Sequence, residues 1–570
     1  MGYENTKRQI WLPLLLAAAV VVGIFLGSAI QRSKAPTTLF FPGGNSGKIQ
    51  SVLKLIQDEY VDTVNIDRLE EKALEAIAKG LDPHTVYIPA SNLAEVNEPL
   101  DGEFSGIGVH FNVTSDTVVV ISTVPGGPSV KVGVMPGDRI VTVNGKKIAG
   151  VKMDQDSIMK KLRGPNGSKV KIGVKRSEVK DLIDFTITRD KIPLYSIDAS
   201  YMVNNSIGYI KIARFARTTY EEFIDATNKL HKQGMKSIIL DLRGNTGGFL
   251  DQAVQIANEF LPAGKLIVYT KGNARPRQNL YSDGKATCKN DQVIILIDEF
   301  SASASEILAG ALQDNDKGTI VGRRSFGKGL VQEQIPLPDN SALRLTVARY
   351  YTPTGRSIQK HYNFDSEEDY QMEISKRYMH GEFEQVDSIK FADSLKFTTP
   401  GGKVVYGGGG IMPDIFVPLD TNGINHYFRS VSARNLIYRY AFSITDSKRS
   451  TLTKFKKVAD LEAYLNSLNL LKSFEVYAKK NNVVAKPGEI KESGTIIETQ
   501  LKAYIARDIL DNDGFYPIIS RIDNTLQKAI EILTKGSATI NKPKAKGSKK
   551  NAIAYLLTRP NKLQVADSRT

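Results

Sequence analysis

Three serines open one predicted helix in VIILIDEFSASASEILAGALQD: Ser301, Ser303 and Ser305. The stretch reads as strand, tight turn and helix. A serine at a helix N-terminus sits beside free backbone N–H groups and the positive end of the helix dipole. Those donors can hold an oxyanion as it forms, so the place suits a nucleophile. It suits a cap as well: Ser303 with Glu306 spells S-x-x-E, a capping box. Periodicity alone does not choose between the two readings, nor among the three serines.

A serine nucleophile needs a base. The six histidines sit in no suggestive context. A lysine can serve instead, provided it is neutral. With an ordinary pKa of about 10.4, roughly one lysine in 2,500 is neutral at pH 7, and a pKa of about 7 requires a shift of roughly 4–5 kcal/mol. Burial against apolar neighbours supplies such a shift. Lys328 lies in GRRSFGKG (Gly322–Gly329), among Phe326, Leu330 and Val331, on glycines that allow close backbone approach. The same stretch nearly spells the phosphate-binding loop G-x-x-x-x-G-K-[ST]. Gly329 stands where a hydroxyl should hold magnesium, and LVQEQIPLPD, with Pro336 and Pro338, does not suit the helix such a loop requires. Lys328 therefore reads as a general base rather than a phosphate clamp.

These residues need elements to position them. KIQSVLKLIQDEYVD and IDRLEEKALEAIAKGLDPHT have helical spacing, with Leu69, Ala73, Ala76 and Ile77 on one face and Gly80 as the stop. From Gly102 to Arg189 short alternating strands (GVHFNV, TVVVIST, VKIGVKR) alternate with glycine turns. After Ile192 come βα units: the strand IGYIKI, a helix opening with a capping box at Thr218–Glu221 or Thr219–Glu222, and the continuous apolar runs SIILDL and VIILID expected of strands buried on both faces. Beyond Leu419, LEAYLNSLNLL and IIETQLKAYIARDIL are helical in period.

With those elements in place, a resemblance becomes specific. SASASE followed by GRRSFGKGLVQ resembles the carboxyl-terminal processing peptidases, tail-specific serine proteases with a Ser-Lys dyad. The resemblance implies Ser303 as nucleophile, Lys328 as base and Gln332 as the residue that orients the base. LDLRGNTGG (Leu240–Gly248) resembles the family's glycine loop, which implies an oxyanion hole from Gly247 and Gly248 with the N–H of Ala304. Gly244 and Thr246 stand where Asn and Pro are common. LDPHT, YYTPTGRSIQ and GGIMPD match as well. GEFSGIGVHF and VPGGPSVKVGVMPGDRIVTVNG resemble a PDZ domain, which implies that the N–H groups of Gly106, Ile107 and Gly108 capture a chain-terminal carboxylate while the peptide adds a strand. The resemblance spans Lys48 to Leu419, and the chain after Asp420 does not follow the common pattern.

The expected fold is multidomain α+β and α/β. It comprises an N-terminal membrane segment (1–34), a helical segment (48–100), a β-rich PDZ domain (101–190), an α/β, crotonase-like protease core (191–420), and a helical C-terminal extension with a basic tail (421–570). At 570 residues the chain has room for several cores. It carries a formal net charge of +15, and NKPKAKGSKK (Asn541–Lys550) holds five lysines with no aromatic residue among them, so it reads as a solvated tail rather than a nucleic-acid site. The single cysteine, Cys288, permits no intrachain disulfide. The run Ile10–Ile30 is uncharged and follows Lys7 and Arg8, a pattern that favours a retained inner-membrane anchor over a signal cleaved near Gly27-Ser28-Ala29, with the bulk in the periplasm or a similar space. Expected partners are proteins with unstructured C-termini, the membrane, and a second copy through the C-terminal helices. No metal, nucleotide or other cofactor is expected. The rivals are a catalytically silent PDZ scaffold and a crotonase-like acyl-CoA enzyme.

Overall fold

The computed structural model describes residues 17–23, 47–114, 116–176, 179–362, 367–389 and 392–535. The predicted membrane run falls within them only at 17–23, which is helical, and the lysine-rich tail lies outside them. Among the described residues no helix is long and apolar enough to cross a membrane. The chain divides into two units, 1–77 and 78–570. In the first, α1 (Lys48–Glu59) and α2 (Ile66–Lys79, which runs just past the division) line one apolar groove with Ile49, Val52, Ile56, Leu69 and Ala73.

The second unit begins with a short strand, β1 (Val86–Ile88). An antiparallel sheet follows, in the order β2 (Val109–Thr114), β3 (Thr117–Thr123), β4 (Arg139–Val143), β5 (Lys169–Lys175) and β6 (Ile183–Thr188). Val118, Val120, Ile140, Ile172, Val174 and Ile187 fill its core, with Ile158 and Leu162 from α3 (Gln155–Leu162). Segments Glu103–Gly106 and Asp190–Pro193 pair with each other and close the two ends of this insert. Within the sheet β2 pairs with β3, and its other edge has no strand partner among the described residues.

The central sheet runs β7 (Ile197–Met202), β8 (Ile207–Ile212), β9 (Ser237–Asp241), β12 (Gln292–Ile297), β13 (Gly318–Gly322) and β16 (Ile415–Phe416). Its neighbours are parallel except for the β7–β8 pair. Helices α4 (Thr219–Lys232), α5 (Leu250–Asn258) and α6 (Ala304–Asp314) cover one face, where Phe223, Ile256 and Leu308 meet Ile238, Leu240, Val293 and Ile295. The helix α6 is buried along its whole length, which its small Ala and Gly residues permit. A second sheet joins β1, β15 (Ala342–Tyr351), β10 (Leu266–Lys271) and β11 (Gln278–Tyr281), with β14 (Leu330–Pro336) also on β15. The capping box expected at α4 does not form as written. Thr218 Oγ1 donates to Glu222 Oε1 at 2.7 Å, and Glu222 Oε2 accepts from Ser196 N–H at 2.7 Å, so this carboxylate ties the helix to the start of β7.

Downstream helices pack around Tyr427, Leu461, Phe474, Ile497 and Leu501. The longest, α7 (Glu489–Ile519), breaks at Leu510–Asp511, where Asp511 has φ 52°. The next helix, α8 (Asn524–Lys535), leaves that cluster. It lays Leu526 and Ala529 on Ile239, Ile294 and Leu296 of the central sheet. The continuous apolar runs of SIILD and QVIILI are explained by this: odd and even residues meet different covers. Among the described residues no strand follows residue 420, yet α8 shares a core with the central sheet.

Candidate active site

The turn before α6 treats its three serines differently. Ser301 and Ser305 are fully buried. The Ser301 hydroxyl donates to Leu242 O at 2.9 Å and accepts from Asp298 N–H, also at 2.9 Å. The Ser305 hydroxyl donates to Asn245 O at 2.9 Å. Both fasten the turn to the loop after β9. Ser303 alone is partly exposed, and it has φ 55°, a region that costs a non-glycine residue energy and recurs at functional sites.

Two buried groups tie the backbone at Ser303 to the backbone at Lys328. Glu306 Oε2 accepts from the N–H of Ser303 and from that of Lys328, each at 2.9 Å. Its Oε1 accepts from Gly327 N–H at 2.7 Å and from the Ser325 hydroxyl at 2.5 Å. Burial pushes the Glu306 carboxyl up to about 7, opposed by these four donors. The Tyr350 hydroxyl lies 3.1 Å from the Ser303 carbonyl oxygen and 2.5 Å from that of Lys328, sharing one proton between them. Lys328 is half-buried, and its Nζ donates to Gln332 Oε1 at 3.0 Å. A β-bulge between Val331 and Gln332 sets the aim of that amide, whose Nε2 donates to His84 O. Burial, then the Arg344 charge, lowers the Lys328 pKa to about 8, opposed by Asp82 and Glu306. The Phe326 ring faces the ammonium of Lys360 at 3.9 Å.

The glycine loop lies against the same turn. A Cβ on Gly247 would fall 2.7 Å from Ser303 Cβ and 2.9 Å from Ala304 N, so only glycine fits. The N–H of Gly247 is taken by Asn245 Oδ1 at 2.8 Å. The N–H groups of Gly248 and Ala304 make no hydrogen bond among the described residues. Of the three expected oxyanion donors, Gly247 thus supplies close approach and the other two supply unspent donors. In the β-rich insert, Gly106 lies in the ladder opposite Asp190, while Ile107 and Gly108 N–H groups have no partner among the described residues. Ile107 O is fixed by Ser129, through N–H at 3.1 Å and hydroxyl at 2.5 Å. Among the described residues no hydrogen bond or ion pair joins Gly106–Gly108 to the Ser303–Lys328 group.

Residues 206–371 match peptidase family S41, residues 105–187 match the PDZ domain, and residues 427–511 match a family of unknown function. A carboxy-terminal-processing protease of Bartonella bacilliformis is 37% identical over 316 residues, which cover 54% of this chain and 71% of that protein. The chain belongs to the carboxy-terminal-processing protease family. As a member it is a serine-type peptidase carrying a PDZ domain. A probable CtpA-like serine protease of Staphylococcus aureus is also 37% identical, over 317 residues covering 55% of this chain and 62% of that protein. The solved structure of a photosystem II D1 C-terminal processing protease is 26% identical, covers 65% of this chain and 92% of its own, and has a TM-score of 0.33.

Several groups around this protease's site carry no flag in the sequence. Glu306 reads there only as a cap. Tyr350 and His84 lie inside matching motifs without a stated role. His84 Nε2 is 2.7 Å from the Tyr370 hydroxyl, and burial, with Lys328 beyond it, lowers its pKa to about 3, so it stays neutral. Arg344 sits on β15 opposite Gln334, and its Nη2 donates to Gln334 Oε1 at 3.0 Å.

Proposed function

We propose that this chain is a tail-specific serine endopeptidase that works through a Ser303–Lys328 dyad. Neutral Lys328 takes the Ser303 Oγ proton as Oγ attacks the scissile carbonyl carbon. The resulting oxyanion accepts hydrogen bonds from Gly248 and Ala304 N–H. Collapse breaks the C–N bond, and the amine leaves with the proton that Lys328 held. Water, deprotonated by the same lysine, then hydrolyses the acyl-enzyme and restores Ser303. Gln332 orients the amine of Lys328.

The observation that carries this reading is the shared carboxylate: Glu306 Oε2 holds both Ser303 and Lys328 by their backbone N–H groups. A neutral amide on Nζ and a pKa lowered to about 8 support a lysine that can act as a base. Recognition belongs to the PDZ domain, where Ile107 and Gly108 offer unspent N–H groups beside the open edge of β2. A free C-terminus would be held there as an added strand. We read the α/β core as crotonase-like and the working compartment as extracytoplasmic, on the strength of the uncharged run Ile10–Ile30 behind Lys7 and Arg8.

A fluorophosphonate probe tests the dyad. Wild type is expected to be labelled on Ser303, with labelling lost in Ser303→Ala and strongly slowed in Lys328→Ala. An unlabelled wild type would favour a silent scaffold, and labelling on another residue would remove Ser303 from the reaction.

A further inference from the structure

The loop that carries Gly248 is soft by composition. Gly244, Gly247 and Gly248 have φ of 72°, 100° and 149°, values that only glycine adopts freely. Such a loop holds a donor in place only if its ends are clamped. One clamp is local: Asn245 bonds Gly247 N–H, and Asn245 O accepts from Ala302 N–H at 3.0 Å. Gly244 N–H also donates to Asp298 Oδ1 at 2.9 Å. A further clamp is Arg243, the last residue before the first of these glycines.

The Arg243 guanidinium lies between two carboxylates. Its Nε and Nη2 donate to Asp241 Oδ1 and Oδ2 at 2.9 and 2.6 Å. Its Nη1 and Nη2 donate to Asp523 Oδ1 and Oδ2 at 2.8 and 2.6 Å. Asp241 is shared, since it also accepts from the Tyr209 hydroxyl at 2.7 Å and from Lys211 Nζ at 3.3 Å. Asp523 comes from outside the protease core. It precedes α8 and accepts from Leu526 N–H at 3.0 Å, and α8 is itself seated on the central sheet through Leu526 and Ala529.

We infer that Asp523 is a positioning residue of the active site: the C-terminal extension braces Arg243 and thereby fixes the glycine loop beside Ser303. Two cations, Lys211 and Arg243, are balanced by two carboxylates, Asp241 and Asp523. Removing the second leaves Arg243 half-paired in a partly buried place, free to pull on the loop. The region after Asp420 thus acquires a task in the chemistry. This inference rests on the dyad and oxyanion reading above.

The test uses the full chain, with Asp523→Asn, Asp523→Glu and Ser303→Ala beside wild type. Steady-state cleavage of one peptide is measured per titrated site, together with inhibition by a peptide boronate, which mimics the tetrahedral oxyanion. For Asp523→Asn the expected kcat loss is between about 10- and 100-fold, with KM little changed. Boronate affinity should fall in parallel, and Asp523→Glu should recover most of both. Unchanged kcat and boronate affinity in Asp523→Asn, beside inactive Ser303→Ala, would overturn this inference alone. A kcat loss with unaltered boronate affinity would also overturn it, because the oxyanion donors would then be undisturbed. An active Ser303→Ala would overturn the dyad reading instead.

Discussion

Two glycine-bearing turns in this protein carry backbone N–H groups without a partner among the described residues, and they are built in different ways. Around Ser303 almost every neighbour is tied down. Ser301 and Ser305 spend their hydroxyls on Leu242 and Asn245, Glu306 collects four donors, and Tyr350 spans two carbonyls. Around Gly106–Gly108 the ties are fewer: a strand pair with Asp190–Pro193, the Ser129 bonds to Ile107 O and the Val124 N–H bond to Gly108 O, beside a sheet edge with no strand partner among the described residues. Under the proposed function the difference follows from the task. Stabilising an oxyanion requires donors fixed before the charge appears. Gripping a tail requires an open edge that accepts varied side chains. Disturbance of the first turn should therefore stop chemistry on every substrate, and disturbance of the second should change only which substrates are held.

The largest effect should separate the three serines. Ser303→Ala is expected to lower kcat by roughly 10⁴-fold or more on tailed proteins and short peptides alike. Ser301→Ala and Ser305→Ala should keep measurable turnover but lose about 1–3 kcal/mol of stability, since each strands a buried partner. Cleavage assays and denaturant melts on all three check this, and equal kcat losses would break the comparison.

A second effect appears in stability. Lys328 titrates near 8 when folded and near 10.4 when unfolded. Between those values the unfolded chain binds more protons, so stability rises with pH across that window. Below it the folded protein bears the full cost of a desolvated ammonium. Lys328→Met should therefore be more stable than wild type at pH 7, by about 2 kcal/mol after allowance for partial exposure. The gain should vanish above pH 10.4, as melts across the range would show.

Gln332→Glu sharpens the contrast between a neutral and a charged partner for Lys328. A carboxylate beside Nζ favours the ammonium, so the pKa should climb above its value of about 8. Each unit of increase should lower kcat/KM at neutral pH about tenfold while leaving the high-pH plateau closer to wild type. A uniform loss at all pH values would show that Gln332 acts through geometry alone.

The smallest effect should be at the PDZ turn. Amidating a substrate's C-terminus removes the carboxylate charge, and kcat/KM should fall about tenfold through KM, with Ser303 labelling unchanged. Equal cleavage of acid and amide forms would remove carboxylate capture from the account.

How far the sequence foretold this depends on how far apart the partners lie in the chain. The strand–turn–helix at Ser303, the strands of the insert, and the two-faced runs SIILD and QVIILI are local patterns, and they fold as read. The choice among the serines is not local: it depends on Leu242 and Asn245, which the fold brings to the turn. Glu306 reads as a cap because its neighbour in sequence is Ser303, and its second partner, Lys328, comes from another loop. The continuous apolar runs of β9 and β12 announce a cover for each face without naming α8. The motif implies one donor from the pair Gly247 and Gly248 without choosing between them, and Asn245, two residues before Gly247, takes the N–H of that glycine. Of the run Ile10–Ile30, residues 17–23 are described and helical, and the rest lie outside the described residues.

The claim that Lys328 is the base for Ser303 is tested most directly by the pH dependence of fluorophosphonate capture at Ser303. The small probe needs no tail and so bypasses the PDZ domain. The second-order rate should rise with pH and level off with a single midpoint near 8, the value to which burial and Arg344 lower the lysine. The same midpoint should move upward in Gln332→Glu. A midpoint near 6.5, the ordinary range of histidine, or a rate independent of pH between 6 and 10, would contradict the assignment.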